Sequence, residues 1–415
     1  MWNIQYYSLD FFKCYSKSLS SPIKNTPLFY VYQSFLQFIS EKDSFNECAR
    51  SNQNIKAINK DNSSKFIIVV IGESFNRHHS SLYGYPLKTN PKLQSEKNLF
   101  IFDNVISTMN ATSTSFKHFL SLSSTDQTRN WYESPLFPAV FKQAGYNVVF
   151  YSNQYVKDIN TSSTNASVGF FNRSELAPKL FNHRNTMKYQ YDGLFLDAYK
   201  ANREELESDS LNLVILHLIG QHFMYSKRFP AEYKHFTERD YAYRKELNSI
   251  QKQEVSDYDN ATLYNDSIVD EIIQMYKDKN AMIVYFADHG DEINDYRVHV
   301  GRSSGLHEIG APGLHCQLDV PFIVWLSDKW IEMYPKDKER LEKSLHKPFM
   351  LDDLPHFLFD MASIGVDGYD STRSLVNESF NSLRKRIVSP LGTQPVDYDS
   401  VSNCFGTWKV GKFIN

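Results

Sequence analysis

The segment that most constrains the fold is an apolar run, residues 282–286, followed by Ala287, Asp288, His289 and Gly290. A short run without polar residues is typical of a strand that is buried on both faces, as in the parallel sheets of α/β proteins. In such sheets the chemistry lies at the carboxyl ends of the strands, and an acid and an imidazole there are suitable metal ligands. The alternative is that Asp288 caps a turn and that His289 is an ordinary loop histidine.

A second apolar run, residues 66–71, ends in the same way, in Gly72, Glu73 and Ser74. Because the carboxyl ends of parallel strands meet at one edge of a sheet, we expect Glu73, Asp288 and His289 to lie close together. Two carboxylates and one imidazole form a ligand set that suits zinc and tolerates manganese or magnesium. The sequence therefore predicts a metal site at this edge.

Apolar runs alternate with helical patterns from residue 66 onward. The predicted strands are 66–71, 98–106, 147–152, 212–219, 281–287 and 320–326, and the predicted helices are 115–122, 134–144 and 260–278, with a further helix near 350–362. The helix at 260–278 has the clearest pattern, because its apolar residues recur at spacings of three and four. This alternation predicts an α/β fold with a mainly parallel central sheet and helices on both faces.

Composition along the chain predicts two parts. Residues 1–60 mix aromatic clusters with polar runs and are predicted to form an aromatic-rich N-terminal arm, with a short interfacial membrane helix as the alternative. Residues 61–415 are predicted to form a catalytic domain. Within it, residues 153–210 and 225–258 are polar or charged, and we expect them to form long loops that build a substrate surface.

Charge and cysteine content exclude several classes of protein. The 415 residues carry a formal net charge of -3, and Lys and Arg are scattered, so nucleic acid is not an expected partner. No apolar run reaches the roughly 18 residues of a membrane-spanning helix, and the N-terminus has neither the basic nor the apolar region of a signal peptide. The four cysteines form no Cys-x-x-Cys pair, and their pairing stays open: Cys14, Cys48, Cys316 and Cys404.

Two further segments carry reactive side chains just after predicted strands. Residues 110–115, Asn-Ala-Thr-Ser-Thr-Ser, place hydroxyls at the start of a predicted helix, where backbone N–H groups and the helix dipole favour an anion. Such a hydroxyl is a candidate nucleophile for a phosphoryl group, and plain helix capping is the alternative. His217 and His222 flank Gly220 and indicate an active-site loop, and His299, Arg302 and His307 are further candidates downstream of His289.

Six motifs together resemble the phosphoethanolamine transferases that modify lipid A, core lipopolysaccharide and related glycans. This family belongs to the alkaline phosphatase and sulfatase superfamily, and the resemblance implies that fold. The motifs occur in the family's order, which is far more specific than any one of them: Ile71-Gly72-Glu73-Ser74, Tyr83-Gly84-Tyr85, Thr89-Asn90-Pro91, Asp103-Asn104-Val105-Ile106-Ser107, Tyr258-Asp259-Asn260 and Asp288-His289-Gly290-Asp291-Glu292.

Carried over residue by residue, the resemblance implies a role for each of six residues. Thr112 matches the nucleophilic threonine, which also touches the metal. His222 and His299 match histidines that contact the transferred phosphate, with His307 as the alternative to His299. Thr108 and His118 stand where one branch of the family has cysteines, so that disulfide is not expected. The implied metal ligands are Glu73, Thr112, Asp288 and His289.

The resemblance also implies a place and a reaction. The catalytic domain would face the periplasm at the bacterial inner membrane, with the membrane anchor outside this chain. The implied reaction is zinc-dependent transfer of phosphoethanolamine from phosphatidylethanolamine to a lipopolysaccharide, lipid A or other envelope glycan acceptor. It would pass through a phosphothreonine-type intermediate on Thr112. One tight zinc site is expected and a second is left open; the expected partners are the donor lipid, the glycan acceptor and the membrane surface.

Three other functions are weighed against this one. A sulfatase needs a Cys or Ser followed by Pro and Arg to form its formylglycine, and neither Pro nor Arg occurs around Thr112. A phosphoglycerol transferase or a phosphodiesterase of the same superfamily would use the same ligands, so the motifs alone separate it from the transferase. A binding protein of the cell envelope without catalysis would keep the fold, but the filled ligand positions argue against it.

Overall fold

The computed structural model describes residues 43–61, 63–157, 172, 175–391 and 394–402, without the side chains of 306–309 and 311. The chain divides into two compact units, residues 1–47 and 48–415. Most of the predicted N-terminal arm therefore lies outside the described residues, and its role stays a prediction. Everything that follows concerns the second unit.

Fifteen strands occur in the described part of the chain, and most of the longer ones were predicted. They are β1 (Ala57–Asn59), β2 (Lys65–Gly72), β3 (Leu99–Phe102), β4 (Val105–Ile106), β5 (Asn147–Ser152), β6 (His183–Arg184), β7 (Leu211–His217), β8 (Ala281–Ala287), β9 (Glu292–Ile293), β10 (Val300–Gly301), β11 (Phe322–Leu326), β12 (Phe349–Met350), β13 (Ile364–Val366), β14 (Ile387–Val388) and β15 (Val396–Asp397).

The α-helices lie mostly between these strands in sequence. They are α1 (Pro91–Ser95), α2 (Thr112–Leu120), α3 (Phe137–Gln143), α4 (Ala177–Leu180), α5 (Asp192–Leu206), α6 (Ser249–Tyr276), α7 (Leu306–Leu318), α8 (Asp328–Met333), α9 (Pro335–Glu342), α10 (Leu354–Ala362) and α11 (Tyr398–Ser402). No helix of the described residues combines the length and the apolar character that crossing a membrane requires.

Seven strands form the central sheet, in the order β3-β11-β8-β2-β7-β5-β6. The neighbours from β8 to β6 are parallel, and β11 is antiparallel to both β8 and β3. Every residue of β2 and of β8 is buried, which matches the uninterrupted apolar runs in the sequence. The predicted α/β fold with a mainly parallel sheet flanked by helices is confirmed.

The register of β2 and β8 positions the chemistry at the sheet edge. Gly72, the last residue of β2, pairs with Ala287, the last residue of β8. Ile71 in turn pairs with His217 at the end of β7. Because all three strands are parallel, the residues that follow them emerge at the same edge. Glu73 and Asp288 are therefore neighbours across the sheet although they are distant in sequence.

Two predicted elements differ from the structure. The predicted strand 98–106 is two strands, because the chain breaks at the polar pair Asp103 and Asn104; β3 joins the central sheet and β4 pairs with β12. The predicted helix 260–278 begins earlier, at Ser249, where Asn248 and Gln251 form a capping box. Its first turns are polar and mostly half-buried, so the apolar pattern shows only the later part.

The two regions that were predicted as long loops contain regular structure. Residues 153–210 include β6 and the 15-residue helix α5, which buries Phe195, Leu196 and Tyr199. These residues have the helical spacing, but polar residues dilute the pattern on both sides of them. Residues 225–258 hold three short 3₁₀ turns and the start of α6. The two regions are therefore not simply long loops, and their role as a substrate surface stays a prediction.

The buried side chain of His79 connects the segment after β2 to two other segments. The Nδ1 of His79 lies 2.8 Å from a carboxylate oxygen of Asp259 in α6, and its Nε2 lies 2.8 Å from one of Asp295, beyond β8. Burial lowers the pKa of His79, but the charges of Asp295 and Asp259 outweigh it and raise the pKa to about 9. The imidazole is thus protonated at neutral pH and links three elements around the sheet edge.

We expect His79→Gln to lose stability in a pH-dependent way. The folded pKa, about 9, lies above the ordinary value of about 6.5, so the contribution of the charged ring is complete below pH ~6.5 and is lost as the pH rises through about 9. The difference in the free energy of unfolding between wild type and variant should shrink by roughly 3 kcal/mol over that interval. Urea denaturation from pH 6.5 to 9.5 measures it, with His346→Gln as the control, since His346 forms an exposed pair with Asp103. A difference that stays constant with pH would contradict the assignment.

Candidate active site

Four side chains from three segments converge at the carboxyl edge of the sheet. The Oγ1 of Thr112 lies 3.0 Å from Oε2 of Glu73 and 3.3 Å from Nε2 of His289. The same Nε2 lies 3.3 Å from Glu73 and 3.4 Å from Oδ2 of Asp288. Glu73, Asp288 and His289 are fully buried, while Thr112 is half-buried at the mouth of the cluster. The hydroxyl of Thr112, a potential nucleophile, therefore faces a buried group of ligand atoms.

The backbone around Glu73 fixes its position. Ser74 adopts a positive φ of 55°, which is unusual for a residue other than glycine and turns the chain sharply after β2. Gly220, with a φ of +45°, lies so close that a Cβ there would stand 2.9 Å from the amide nitrogen of Glu73. The next residue, Gln221, donates its N–H to the carbonyl of Glu73 at 3.0 Å. The loop after β7 thus packs directly on the Glu73 backbone.

Hydrogen bonds orient the side chains of the cluster. The Oδ1 of Asp288 accepts from the backbone N–H groups of Ser74 and His289, at 3.2 and 2.9 Å. The Nδ1 of His289 lies 3.0 Å from the carbonyl of Gly290, so that nitrogen carries a proton and donates it. The other ring nitrogen, Nε2, therefore faces Glu73 and Thr112. Partners of this kind fix the tautomer and orientation of metal-binding histidines.

The charges in the cluster fit a cation. Burial and then the charge of Glu73 raise the pKa of Asp288 to about 7. Burial lowers the pKa of His289, but Asp288 and Glu73 outweigh it and raise the pKa to about 9. By itself, the cluster thus takes up protons to balance its buried negative charge. A divalent cation balances that charge instead, and metal binding at such sites releases protons.

The donor atoms of the cluster also fit a metal ion. The Oδ2 of Asp288 is buried and has no hydrogen-bond partner within the described residues, although buried polar atoms are almost always paired. One ligand atom from each of Glu73, Asp288 and His289 can be chosen so that all three lie within 4.8 Å of one another. Two carboxylates and an imidazole form a ligand set that zinc accepts.

The other predicted residues lie around this cluster without joining it. His222 is half-buried; burial lowers its pKa although the charge of Glu73 opposes the shift. His299 is half-buried as well, and its Nε2 lies 3.2 Å from the hydroxyl of Ser303. The side chain of His307 lies outside the described residues, so the choice between His299 and His307 stays a prediction. So do the roles of Glu73, Thr112, Asp288, His289 and His222.

Gln154 is a site residue that the sequence analysis did not select. Its amide donates to Oε2 of Glu73 at 2.9 Å and to the carbonyl of Leu218 at 2.9 Å, and it lies 3.1 Å from Nε2 of His217. The signal was present, because Gln154 follows Ser152, the last residue of β5, at the same edge of the sheet. A glutamine carries no charge, so a pattern of acids and histidines after the strands does not point to it.

Arg302 supplies positive charge at the site. Its Nη1 lies 3.1 Å from Nε2 of His289, and its Nε lies 3.4 Å from Oδ1 of Asp291. Burial raises the pKa of Asp291 to about 6, and the charges of His289 and Arg302 act against that shift. Arg302 was one of several downstream candidates in the sequence, and only the fold separates it from the others. A guanidinium here can face an anionic substrate group.

Two of the four cysteines fall within the described residues. Cys48 and Cys316 are both buried and both free. Cys14 and Cys404 lie outside the described residues, and their pairing stays open.

Comparison with known proteins agrees with the geometry. The chain matches the sulfatase family over residues 65–364. Phosphoethanolamine transferase EptC of Escherichia coli O18:K1:H7 (strain RS218 / NMEC) is 31% identical over 349 residues, which cover 82% of this chain and 58% of that protein. Kdo(2)-lipid A phosphoethanolamine 7''-transferase of Escherichia coli (strain K12) is 28% identical over 319 residues, which cover 76% of this chain and 54% of that protein. The chain thus spans little more than half the length of these relatives.

A solved structure is similar as well. The C-terminal periplasmic domain of EcEptC from Escherichia coli, in complex with Zn, superposes with a TM-score of 0.73 at 27% sequence identity. The match covers 86% of this chain and 98% of that domain. These similarities confirm the sulfatase-like fold and the resemblance to phosphoethanolamine transferases.

We expect Gly290→Ala to disturb the site through packing alone. A Cβ at Gly290 would lie 2.2 Å from the carbonyl oxygen of Cys316 and 3.1 Å from Cα of Asn76, so backbone on two sides would have to move. Overpacking of this kind should lower the free energy of unfolding by about 3 kcal/mol, measured by urea denaturation. The control is Gly145→Ala, where φ is +90° but nothing lies within 4 Å, and its cost should be nearer 1 kcal/mol. Equal losses in the two variants would show that the close approach is unimportant.

Proposed function

Because the chain belongs to the sulfatase family, we propose that it is the catalytic part of a zinc-dependent phosphoethanolamine transferase. The donor is phosphatidylethanolamine, and the acceptor is a lipopolysaccharide, lipid A or another envelope glycan. One observation carries the proposal: the hydroxyl of Thr112 lies within 3.3 Å of both Glu73 and His289, at the open side of a buried ligand cluster. The names of the similar proteins support the choice of phosphoethanolamine as the group transferred.

Glu73, Thr112, Asp288 and His289 would hold the zinc ion. A zinc ion held there supplies a Lewis acid that lowers the pKa of a neighbouring hydroxyl. Thr112 needs such help, because an unassisted hydroxyl is a weak nucleophile at neutral pH. Its place at the N-terminus of α2 adds backbone N–H groups and a helix dipole that favour a bound phosphate.

The reaction proceeds in two transfers at phosphorus. In the first, the oxygen of Thr112 bonds to phosphorus while the bond to the diacylglycerol oxygen breaks, and the leaving oxygen takes up a proton. In the second, an acceptor hydroxyl or phosphate oxygen attacks the same phosphorus, the bond to Thr112 breaks, and the threonine regains its proton. The acceptor's proton balances the one taken by the diacylglycerol. Two steps through one enzyme-bound ester imply ping-pong kinetics.

Positive and neutral donors around the cluster would hold the phosphate oxygens. His222 and His299 are assigned to the non-bridging oxygens, and Arg302, beside His289, adds a fixed positive charge. Burial keeps the pKa of His222 below its ordinary value, so its ring is neutral at pH 7 and donates from one nitrogen. Preorganised donors of this kind offset the charge that develops in the transition state.

The proposed location follows from the proposed substrates. The donor is a membrane lipid, and the similar solved domain is described as periplasmic. We therefore assign this chain to the periplasmic face of the bacterial inner membrane, where it works on a membrane surface. Residues 1–60 would connect it to that membrane.

We expect Thr112→Ala to abolish transfer while zinc stays bound. Without the hydroxyl no ester can form, so release of diacylglycerol from phosphatidylethanolamine micelles should fall at least about a thousandfold. Thr112→Ser keeps a hydroxyl and is the matched control, with measurable activity. Phosphatidylglycerol as donor separates this proposal from a phosphoglycerol transferase. Full activity of Thr112→Ala, or a preference for phosphatidylglycerol, would reject the assignment.

We expect Gln154→Ala to weaken zinc binding although Gln154 is not a ligand. Its amide orients Glu73 through a 2.9 Å hydrogen bond, and losing such a partner typically costs about 10- to 100-fold in metal affinity. Competition with a fluorescent zinc chelator measures the change. Gln190→Ala is the control, because the exposed amide of Gln190 donates to Tyr191 away from the cluster. Unchanged affinity in Gln154→Ala would remove Gln154 from the site.

A further inference from the structure

A second group of metal-ligating side chains lies apart from the candidate active site. The Nε2 of His78 is 2.8 Å from Oδ2 of Asp319, and Nδ1 of His315 is 3.1 Å from the same oxygen. One ligand atom from each of the three residues can be chosen so that all three lie within 4.8 Å of one another. No residue is shared with the cluster formed by Glu73, Asp288 and His289.

The three residues come from two segments that the fold brings together. His78 belongs to a 3₁₀ turn, Arg77–His79, that follows β2 and Glu73. His315 is in the last turn of α7, and Asp319 is the residue that ends this helix. A spacing of four within a helical segment places two side chains on one face, so His315 and Asp319 form a preset pair. His78 then approaches the pair from the other segment.

The distances suit a tetrahedral ion. Ligands bonded to zinc at about 2.0–2.1 Å lie roughly 3.3 Å from one another. The two observed separations, 2.8 and 3.1 Å, need to open by only a few tenths of an ångström. Two imidazoles and one carboxylate favour zinc and similar transition metals over calcium or magnesium, which prefer oxygen ligands.

A tyrosine completes the surroundings of the group. The hydroxyl of Tyr398, in α11, hydrogen-bonds Oδ1 of Asp319 and lies 2.9 Å from Nδ1 of His315. It thereby fixes the carboxylate so that Oδ2 faces the two imidazoles. An outer partner on the oxygen that does not face the ion is typical of metal-bound carboxylates.

Exposure of the group allows an ion to enter. The side chain of Asp319 is 1% exposed, whereas those of His78 and His315 are 23% and 20% exposed. The carboxylate is thus held in the protein interior and the imidazoles border on solvent.

We propose that His78, His315 and Asp319 form a second site for a zinc-class divalent cation, independent of the transfer reaction. An ion there would join the turn after Glu73 to the end of α7. Both segments border the candidate active site. The second ion would therefore stabilise the backbone around that site without touching substrate. Binding of an ion to the folded state alone raises the melting temperature.

Arg77 offers the competing explanation for the group. Its Nη2 lies 2.9 Å from Oδ2 of Asp319, so the carboxylate has a permanent positive partner. A carboxylate oxygen has two lone pairs, which lets Oδ2 accept from Arg77 and still ligate an ion. If Arg77 alone explains the carboxylate, the imidazoles are ordinary hydrogen-bond partners and bind no metal.

The test is the zinc stoichiometry of the full chain after chelator treatment and zinc titration, read by elemental mass spectrometry. We expect about two ions per wild-type chain, and about one in His78→Gln and in His315→Gln, each with a lower melting temperature in zinc. Asp288→Asn should lose the other ion, and its combination with His315→Gln should lose both. The matched control is His346→Gln, which breaks an exposed histidine–aspartate pair and should keep two ions.

The wild-type titration needs no variant, and a stoichiometry of one ion per chain rejects the second site even if a variant fails to fold. Two ions in the wild type, with one retained by Asp288→Asn and lost on further change of His315, support the second site. One ion in the wild type, or two ions in both His78→Gln and His315→Gln, overturns it. A failed transfer assay leaves this result untouched, because the stoichiometry is measured without substrate.

Discussion

The parallel pairing of β2 with β8 is the interaction on which the rest of the structure depends. Backbone hydrogen bonds set Gly72 opposite Ala287, and this register brings Glu73 level with Asp288. A slip of one residue would turn every side chain of a strand to the opposite face. Since both strands are fully buried, such a slip would place Glu73 among apolar side chains. The free-energy cost of burying an unpaired carboxylate therefore disfavours a shifted register.

This geometry concentrates negative charge in a buried site. Two carboxylates and an imidazole share a closed space. Burial and the charge of Glu73 raise the pKa of Asp288, and the two carboxylates raise the pKa of His289, so protons balance the charge when no cation does. The surrounding structure resists relaxation: Ser74 is held at a positive φ, and Gly220 and Gly290 let neighbouring backbone approach closely. Strain of this kind persists only where packing imposes it, and it is typical of functional sites.

The frame around the site is held by polar contacts as well as by the apolar core. His79 joins the segment after β2 to α6 and to the chain beyond β8. Gln154 joins the end of β5 to Glu73, and Tyr398 joins α11 to the end of α7. Each contact links segments that are distant in sequence. The sheet edge is therefore a connected polar network, in which loss of one partner leaves another buried group unsatisfied.

The sequence by itself determined the α/β class, most of the central strands and the acid and histidine residues at their ends. An apolar run indicates a buried strand, and a polar residue directly after the run lies at the end of that strand. Both features can therefore be read from a short stretch of sequence. The helix α5, the split at Asp103, the role of Gln154 and the approach of His78 to His315 were decided only by tertiary structure. Their partners lie far away along the chain, and the paths of the connecting segments, which no local pattern encodes, bring them together.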